Sequence, residues 1–161
     1  MLNQEQVKEL FDYDPDTGHL IWRVKRGTRG VAGKIAGCLD NHHGYFLIRI
    51  DGKPYRAHRL IWLYVYGAWP VNDIDHVNGA RHDNRIFNLR EATRAQNMQN
   101  QRNPRTDNKS SYLGVSANRG KWVAQIQANG KKHYIGIYST QKAAHEAYLF
   151  KKRELHPFGT L

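Results

Sequence analysis

His76, Asn88 and Asn97 are spaced by 12 and 9 residues, and Asp75 stands directly before the first of them. An imidazole beside a carboxylate, followed by an amide on a later helix, can hold one hard divalent cation and activate one water. Phosphodiester hydrolysis needs that set. It requires a nucleophile, neutralisation of the phosphate and help for the departing oxygen. A bound Mg²⁺ or Mn²⁺ supplies the last two through oxygen ligands and often takes only one or two of them from the protein. Asp75 offers a carboxylate oxygen and Asn97 an amide oxygen. His76 titrates near neutrality and can accept a proton from water.

The elements around these residues must bring them to one place. Consecutive residues on a strand point to opposite faces, so Asp75 and His76 can meet one ligand only where the strand ends or twists. Asn78-Gly79 supplies a turn directly afterwards. Arg81-His82-Asp83-Asn84-Arg85 reads as a polar loop, and Asn88 to Ala92 as a returning strand. Thr93 can cap a helix from Arg94 to about Asn100 that carries Asn97. The expected unit is strand, loop, strand, helix.

This segment resembles the HNH homing endonucleases of phages and introns, in the variant whose last motif member is Asn. The resemblance rests on Asp75-His76, Asn88 and Asn97, and on the accessory runs His58-Arg59-Leu60, Asp83-Asn84-Arg85 and Asn88-Leu89-Arg90. It is specific over residues 55–100 and looser over 1–54. It implies a ββα-metal fold with His76 as general base and Asp75 and Asn97 as ligands of one Mg²⁺ or Mn²⁺. It implies that Asn88, counted with His76 in the catalytic pair, braces the loop and helps orient the histidine. A neutral Asn in the third place is a weaker ligand than His, which implies low metal affinity and modest turnover.

Composition narrows the partners. Lys and Arg number 25 against 14 Asp and Glu in 161 residues, a field that favours polyanions and above all nucleic acid. Residues 1–100 carry 14 basic and 11 acidic side chains, net +3; residues 101–161 carry 11 and 3, net +8. The one cysteine, Cys38, excludes an internal disulfide framework and a Cys₄ zinc site. The most apolar run, Leu60 to Trp69, is about half the ~20 residues a membrane helix needs. The first residues lack a signal-peptide pattern. A cytoplasmic protein, phage-encoded and acting in a bacterial host, is expected.

Upstream, Asn3 caps a predicted helix through about Phe11, with Leu2, Val7, Leu10 and Phe11 on its apolar side. Asp14-Pro15-Asp16-Thr17-Gly18 is a turn before a predicted strand at His19–Val24. Residues 25–34 read as a basic, glycine-rich loop. Tyr45–Ile50 and Pro54–Ala57 flank Asp51-Gly52-Lys53 as a hairpin. His58 to Tyr66 reads as a buried helix that is apolar nearly all round.

Residues 101–111 read as a linker between a nuclease domain, 1–100, and a second domain, 112–161. That domain shows three strands, about 112–116, 121–127 and 132–138, with turns at Asn118-Arg119-Gly120 and Asn129-Gly130. Ser139 or Thr140 caps a last helix to about Glu154. On the middle strand Trp122, Ala124 and Ile126 share the face toward that helix. Lys121, Val123, Gln125 and Gln127 share the other, joined by Lys132 and Tyr134. Sheet faces of this kind can enter a major groove, where Gln suits adenine and Lys suits guanine or phosphate.

The matching residues Gly114-Val115, Lys121 to Ile126, Tyr134-Ile135-Gly136, Ala143-Ala144 and Ala147-Tyr148 resemble the ethylene-response-factor (APETALA-type) DNA-binding domain. That family reads DNA with arginines on its first strand, where this chain has Leu113 and Ser116. That departure leaves both base reading and a mainly phosphate-directed grip open, with Arg119 and Lys121 expected on phosphates.

The sequence expectation is thus an α+β protein. A ββα-metal nuclease domain precedes a small three-stranded antiparallel sheet packed on one helix. The expected activity is metal-dependent cutting of double-stranded DNA. One motif per chain and no apolar stripe for dimerisation favour a monomer that nicks, with no obligate protein partner. The competing reading is a DNA-binding or regulatory protein with a decayed nuclease core.

Overall fold

The computed structural model describes residues 1–28, 30–104, 108 and 110–160. The chain forms two compact units, Met1–Arg94 and Ala95–Leu161. The division falls ahead of the expected linker at 101–111, of which residues 105–107 and 109 lie outside the described residues.

The first unit opens with α1 (Gln4–Leu10), whose capping box pairs Asn3 with Gln6 in both directions. β1 (Phe11–Asp14) follows at once and pairs antiparallel with β2 (His19–Trp22). The Asp14 carboxylate accepts from the Asp16 and Thr17 amides and the Thr17 hydroxyl and so closes the turn. β3 (Cys38–Leu39), β4 (Phe46–Ile50) and β5 (Lys53–Arg56) make a second antiparallel sheet in that order. α2 (Ala57–Tyr66) ends at Gly67, whose N–H bonds the Leu63 carbonyl. β6 (Asp73–His76) pairs antiparallel with β7 (Leu89–Ala92), and a 3₁₀ turn at Ile86–Asn88 leads into β7.

The predicted helix loses Phe11, which begins β1 and lies fully buried with its ring 4.4 Å from that of Trp22. β2 ends at Trp22, two residues earlier than predicted. The core of this unit gathers Val7, Phe11, Leu20, Ile48, Leu60, Ile61 and Leu63 from both helices and the first two sheets. α2 is buried on one side only: Val65 and Tyr66 are exposed.

The second unit begins one residue into α3 (Arg94–Gln99). Its C-terminal end is tied to the chain terminus: Phe158 N–H donates to the Gln99 side chain, and the Thr160 hydroxyl donates to the Asn100 amide oxygen. β8 (Val115–Asn118), β9 (Lys121–Ala128) and β10 (Lys131–Tyr138) form one antiparallel sheet with β9 in the middle. α4 (Gln141–Leu155), capped by the Thr140 hydroxyl, packs on it through Ala144 and Tyr148. The first strand starts three residues later than predicted, because Ser110 and Tyr112 bond each other in a tight turn and Gly114 takes φ +74°. Among the described residues no helix is long and apolar enough to cross a membrane.

A Cβ at Gly114 would overlap the Tyr148 ring, whereas Gly120, at φ +78°, has open space around it. Gly114→Ala is therefore expected to unfold the second unit or lower its melting temperature sharply. Gly120→Ala should cost only the left-handed penalty of about 1–2 kcal/mol. Equal thermal shifts for the two variants would contradict this packing.

Candidate active site

The site is built on the end of β6 and the loop after it. Asp75 and His76 are both buried, and they have separate neighbours, as consecutive strand residues should. Asp75 faces its cross-strand partner Arg90, whose Nε and guanidinium NH2 donate to Asp75 Oδ2 at 2.9 and 2.8 Å. His76 faces the loop: its Nε2 lies 3.1 Å from Asn84 Oδ1. An amide oxygen only accepts, so Nε2 carries the hydrogen and the ring's lone pair is on Nδ1.

Asn88 holds this loop closed. Its Oδ1 accepts from Asn78 N–H at 2.9 Å, its Nδ2 donates to the Asp83 carbonyl at 2.8 Å, and its own carbonyl accepts from Val77 N–H. The amide that touches His76 is therefore Asn84, while Asn88 acts on the backbone around it. Asp83 is gripped by Arg85 and Asn78, and the hydrogen bonds from Arg85 hold its carboxyl down to about 2. The loop is also supported from behind. Tyr13 Oη accepts from Ile86 N–H, and the backbone of Asn84 and Arg85 lies against Gly18, where a side chain would clash.

Two rings meet beside the histidine. His58, from the first turn of α2, lies edge-on to His76 with centroids 5.1 Å apart, and Tyr45 contacts both at 5.1 and 5.9 Å. His58 is only 3% exposed and its Nδ1 has no hydrogen-bond partner. Burial, reinforced by electrostatic coupling to His76 and by the positive charges of Arg56 and Arg59, pushes its pKa down to about 3. Burial also lowers His76, opposed by the bond to Asn84 and by the Asp75 and Asp83 charges. Both imidazoles are held toward the neutral form, which is the form able to accept a proton.

Asn97 is half-buried on α3. The expected ligand pair of Asp75 and Asn97 is thus divided between the first and second units. Among the described residues no three His, Cys, Asp or Glu side chains are grouped to hold a metal. A carboxylate with an amide is an oxygen-only donor set that suits Mg²⁺ or Mn²⁺, and Asp75 Oδ2 is engaged by Arg90.

On the second unit, Gln125 faces Tyr134 and Gln127 faces Lys132 across β9 and β10, as the expected sheet face requires. Gln127, Lys132 and Tyr134 are exposed and Gln125 half-buried. Gln125, Gln127 and Lys132 line one side of a groove of about 490 Å³ with Ser116. Arg119, at φ +46°, and Lys121 are exposed at the β8–β9 turn. Val123 departs from the expected polar plane: it is 9% exposed, and Ile137 lies opposite it because β10 shifts register between Tyr134 and Gly136.

Sequence reasoning placed no role on Tyr45, Asn84 or Arg90. The last two lie in runs that were singled out, but their partners appear only with the β6–β7 register. Tyr45 carries no sequence signal.

Residues 55–99 match a family model described as HNH endonuclease. The match runs from Tyr55 in β5 through α2, β6, the loop and β7 to the end of α3, and covers well under half of the chain. It supports an HNH nuclease segment and points to hydrolytic chemistry on DNA. Comparison with curated proteins and with solved structures gives no match.

The orphaned His58 nitrogen has a measurable consequence. A histidine near 6.5 when unfolded and near 3 when folded leaves stability unchanged above about pH 7 and subtracts from it as pH falls, since only the unfolded chain takes up the proton. By pH 5 the loss from His58 is about 2 kcal/mol. His58→Phe keeps the ring contacts and removes that titration. Chemical denaturation at pH 7 and pH 5 should show a smaller acid loss in the variant. An equal loss in both proteins would contradict the burial of a neutral His58.

Proposed function

We propose that this protein is a metal-dependent HNH endonuclease of homing type that hydrolyses phosphodiester bonds in double-stranded DNA. The observation that carries the reading is His76, buried and oriented by Asn84 on a loop closed by Asn88, within the stretch that matches the HNH family. Asp75 and Asn97 are the residues that would hold the ion. When bound, the divalent cation neutralises the phosphate and steadies the departing 3′ oxygen. His76 accepts a proton at Nδ1 from the attacking water. Its Nε2–H stays on Asn84, so the ring does not turn as its charge changes. Asn88 positions Asn84 and is not itself in contact with the imidazole. The products implied are a 5′-phosphate and a 3′-hydroxyl. One site per chain favours a monomer that nicks.

The second unit, by its resemblance to the ethylene-response-factor type, would hold duplex DNA through Arg119, Lys121, Gln125, Gln127, Lys132 and Tyr134. Its excess positive charge supports a grip dominated by phosphate contacts.

Supercoiled plasmid is the direct test. The wild type is expected to convert it to open circle with Mg²⁺ or Mn²⁺ and not with EDTA. His76→Ala is expected to lose at least about 10³-fold in rate while binding DNA as before. Full activity in His76→Ala would remove it as the base. Metal-independent DNA binding with no nicking would favour the second reading, a DNA-binding protein with a decayed nuclease core, which the Arg90–Asp75 pair supports.

The sheet assignment has its own readout. Replacing Arg119, Lys121 and Lys132 together by Ala should lower the slope of log affinity against log salt by about 2–3, since each phosphate contact contributes about 0.9. A slope identical to that of the wild type would move the DNA grip off this face.

A further inference from the structure

Four arginines of the first unit lie against a carboxylate: Arg23 against Asp12, Arg26 against Asp51, Arg85 against Asp83 and Arg90 against Asp75. Arg56 and Arg81 are different. Both are exposed, and among the described residues neither pairs with a carboxylate. Instead both guanidinium groups lie over the same ring, that of Tyr45, at 4.5 and 5.1 Å from its centroid. They reach it from distant parts of the sequence, Arg56 from the end of β5 and Arg81 from the loop after β6. Arg81 is further fixed by donating to the His43 carbonyl at 3.0 Å. A cation–π contact holds a guanidinium in place without cancelling its charge, as a carboxylate would. Two like charges on one ring repel each other, and an anion between or beside them relieves that. The ring they share also touches His76 and His58. Their charges reach the imidazoles too, Arg81 acting on His76 and Arg56 on His58.

We propose that Arg56 and Arg81, mounted on Tyr45, form a clamp for a backbone phosphate of the nucleic-acid strand that lies against His76. The inference rests on the nuclease reading for the identity of the strand, but the anion site stands on its own geometry. The clamp binds by charge and by the planar N–H fork of each guanidinium, and so positions the phosphodiester relative to the histidine without taking part in bond making.

The test uses the full chain and a short mixed-sequence duplex in EDTA, where affinity is read against salt for wild type, R56A/R81A and R56K/R81K. R56K/R81K is expected to melt with the wild type and R56A/R81A only slightly lower, because the contacts it loses are exposed. The salt slope of R56A/R81A should fall by about 1–2, at about 0.9 per phosphate, and R56K/R81K should restore it. With Mg²⁺ and saturating plasmid, R56A/R81A should nick at least about tenfold more slowly, and R56K/R81K should recover little of that rate, because lysine lacks the fork. An unchanged salt slope in R56A/R81A overturns the clamp, whatever the nicking shows. Failure of the lysine variant to restore the slope overturns it as well, since charge is then not what was lost. A wild type that binds but never nicks fails the nuclease reading alone, and the salt slope still judges the clamp.

Discussion

The double hydrogen bond of Asn88 is the constraint on which the site depends. β6 and β7 are four residues each, too short to fix the long loop between them. Asn88 takes an N–H from Asn78 near one end of that loop and gives one to the Asp83 carbonyl near the other. Asn84 follows Asp83 directly, so the placement of its amide against His76 is inherited from this bridge. Each bond is worth about 1 kcal/mol net, but an amide buried with one end unmet costs more than the bond it lost. The outer supports follow the same logic. Tyr13 and the turn at Gly18 lie against the Asn84–Ile86 backbone, so the first hairpin supports the loop from behind.

A small core carries a large polar load. His58, Asp75, His76, Asn84 and Asn88 are all buried, in a unit of fewer than a hundred residues. Asp75, His76, Asn84 and Asn88 each have a hydrogen-bond partner; His58 Nδ1 has none among the described residues. Such an orphan is rare in a folded protein and opposes stability. Its neighbour is the residue whose chemistry matters most. Desolvation that is costly for His58 also keeps His76 neutral, and Asp75 and Asp83 limit how far that goes. A histidine pushed too low would be a poor base, and one left in water would be partly charged.

Much of this was legible in the sequence, for local reasons. Asn3, Thr140, Asp14 and the Asp51-Gly52 turn act within three or four residues of themselves, and the structure has them as read. The three strands and helix of the second unit follow from alternation and turns. The fate of Phe11 was not legible, because a helix end and a strand start make the same demand on an aromatic residue: that it be buried. Pairing with Trp22 decided it. Arg90 could be assigned to Asp75 only once the β6–β7 register was fixed, and one residue of slip would have turned it away. Tyr45 joins the site across thirty-one positions from His76, and no periodicity reports such a contact. The bonds of Gln99 and Asn100, at the end of the helix the sequence predicts, to Phe158 and Thr160 span about sixty positions and leave no local trace.

The distribution of charge separates affinity from chemistry. In the first unit acids cancel four arginines, Arg85 and Arg90 beside the histidine among them. In the second, Arg119, Lys121 and Lys132 stand exposed without acidic partners. Binding that is equally strong in the ground state and the transition state lowers the concentration needed without speeding the reaction. A site crowded with unpaired cations would hold its phosphate tightly before and after cleavage alike. On the proposed reading, long-range attraction therefore belongs on a surface remote in sequence from His76. The reacting phosphate meets only as much fixed charge as its placement requires. That is the arrangement seen around Tyr45: two cations on one ring, beside a histidine that burial keeps neutral.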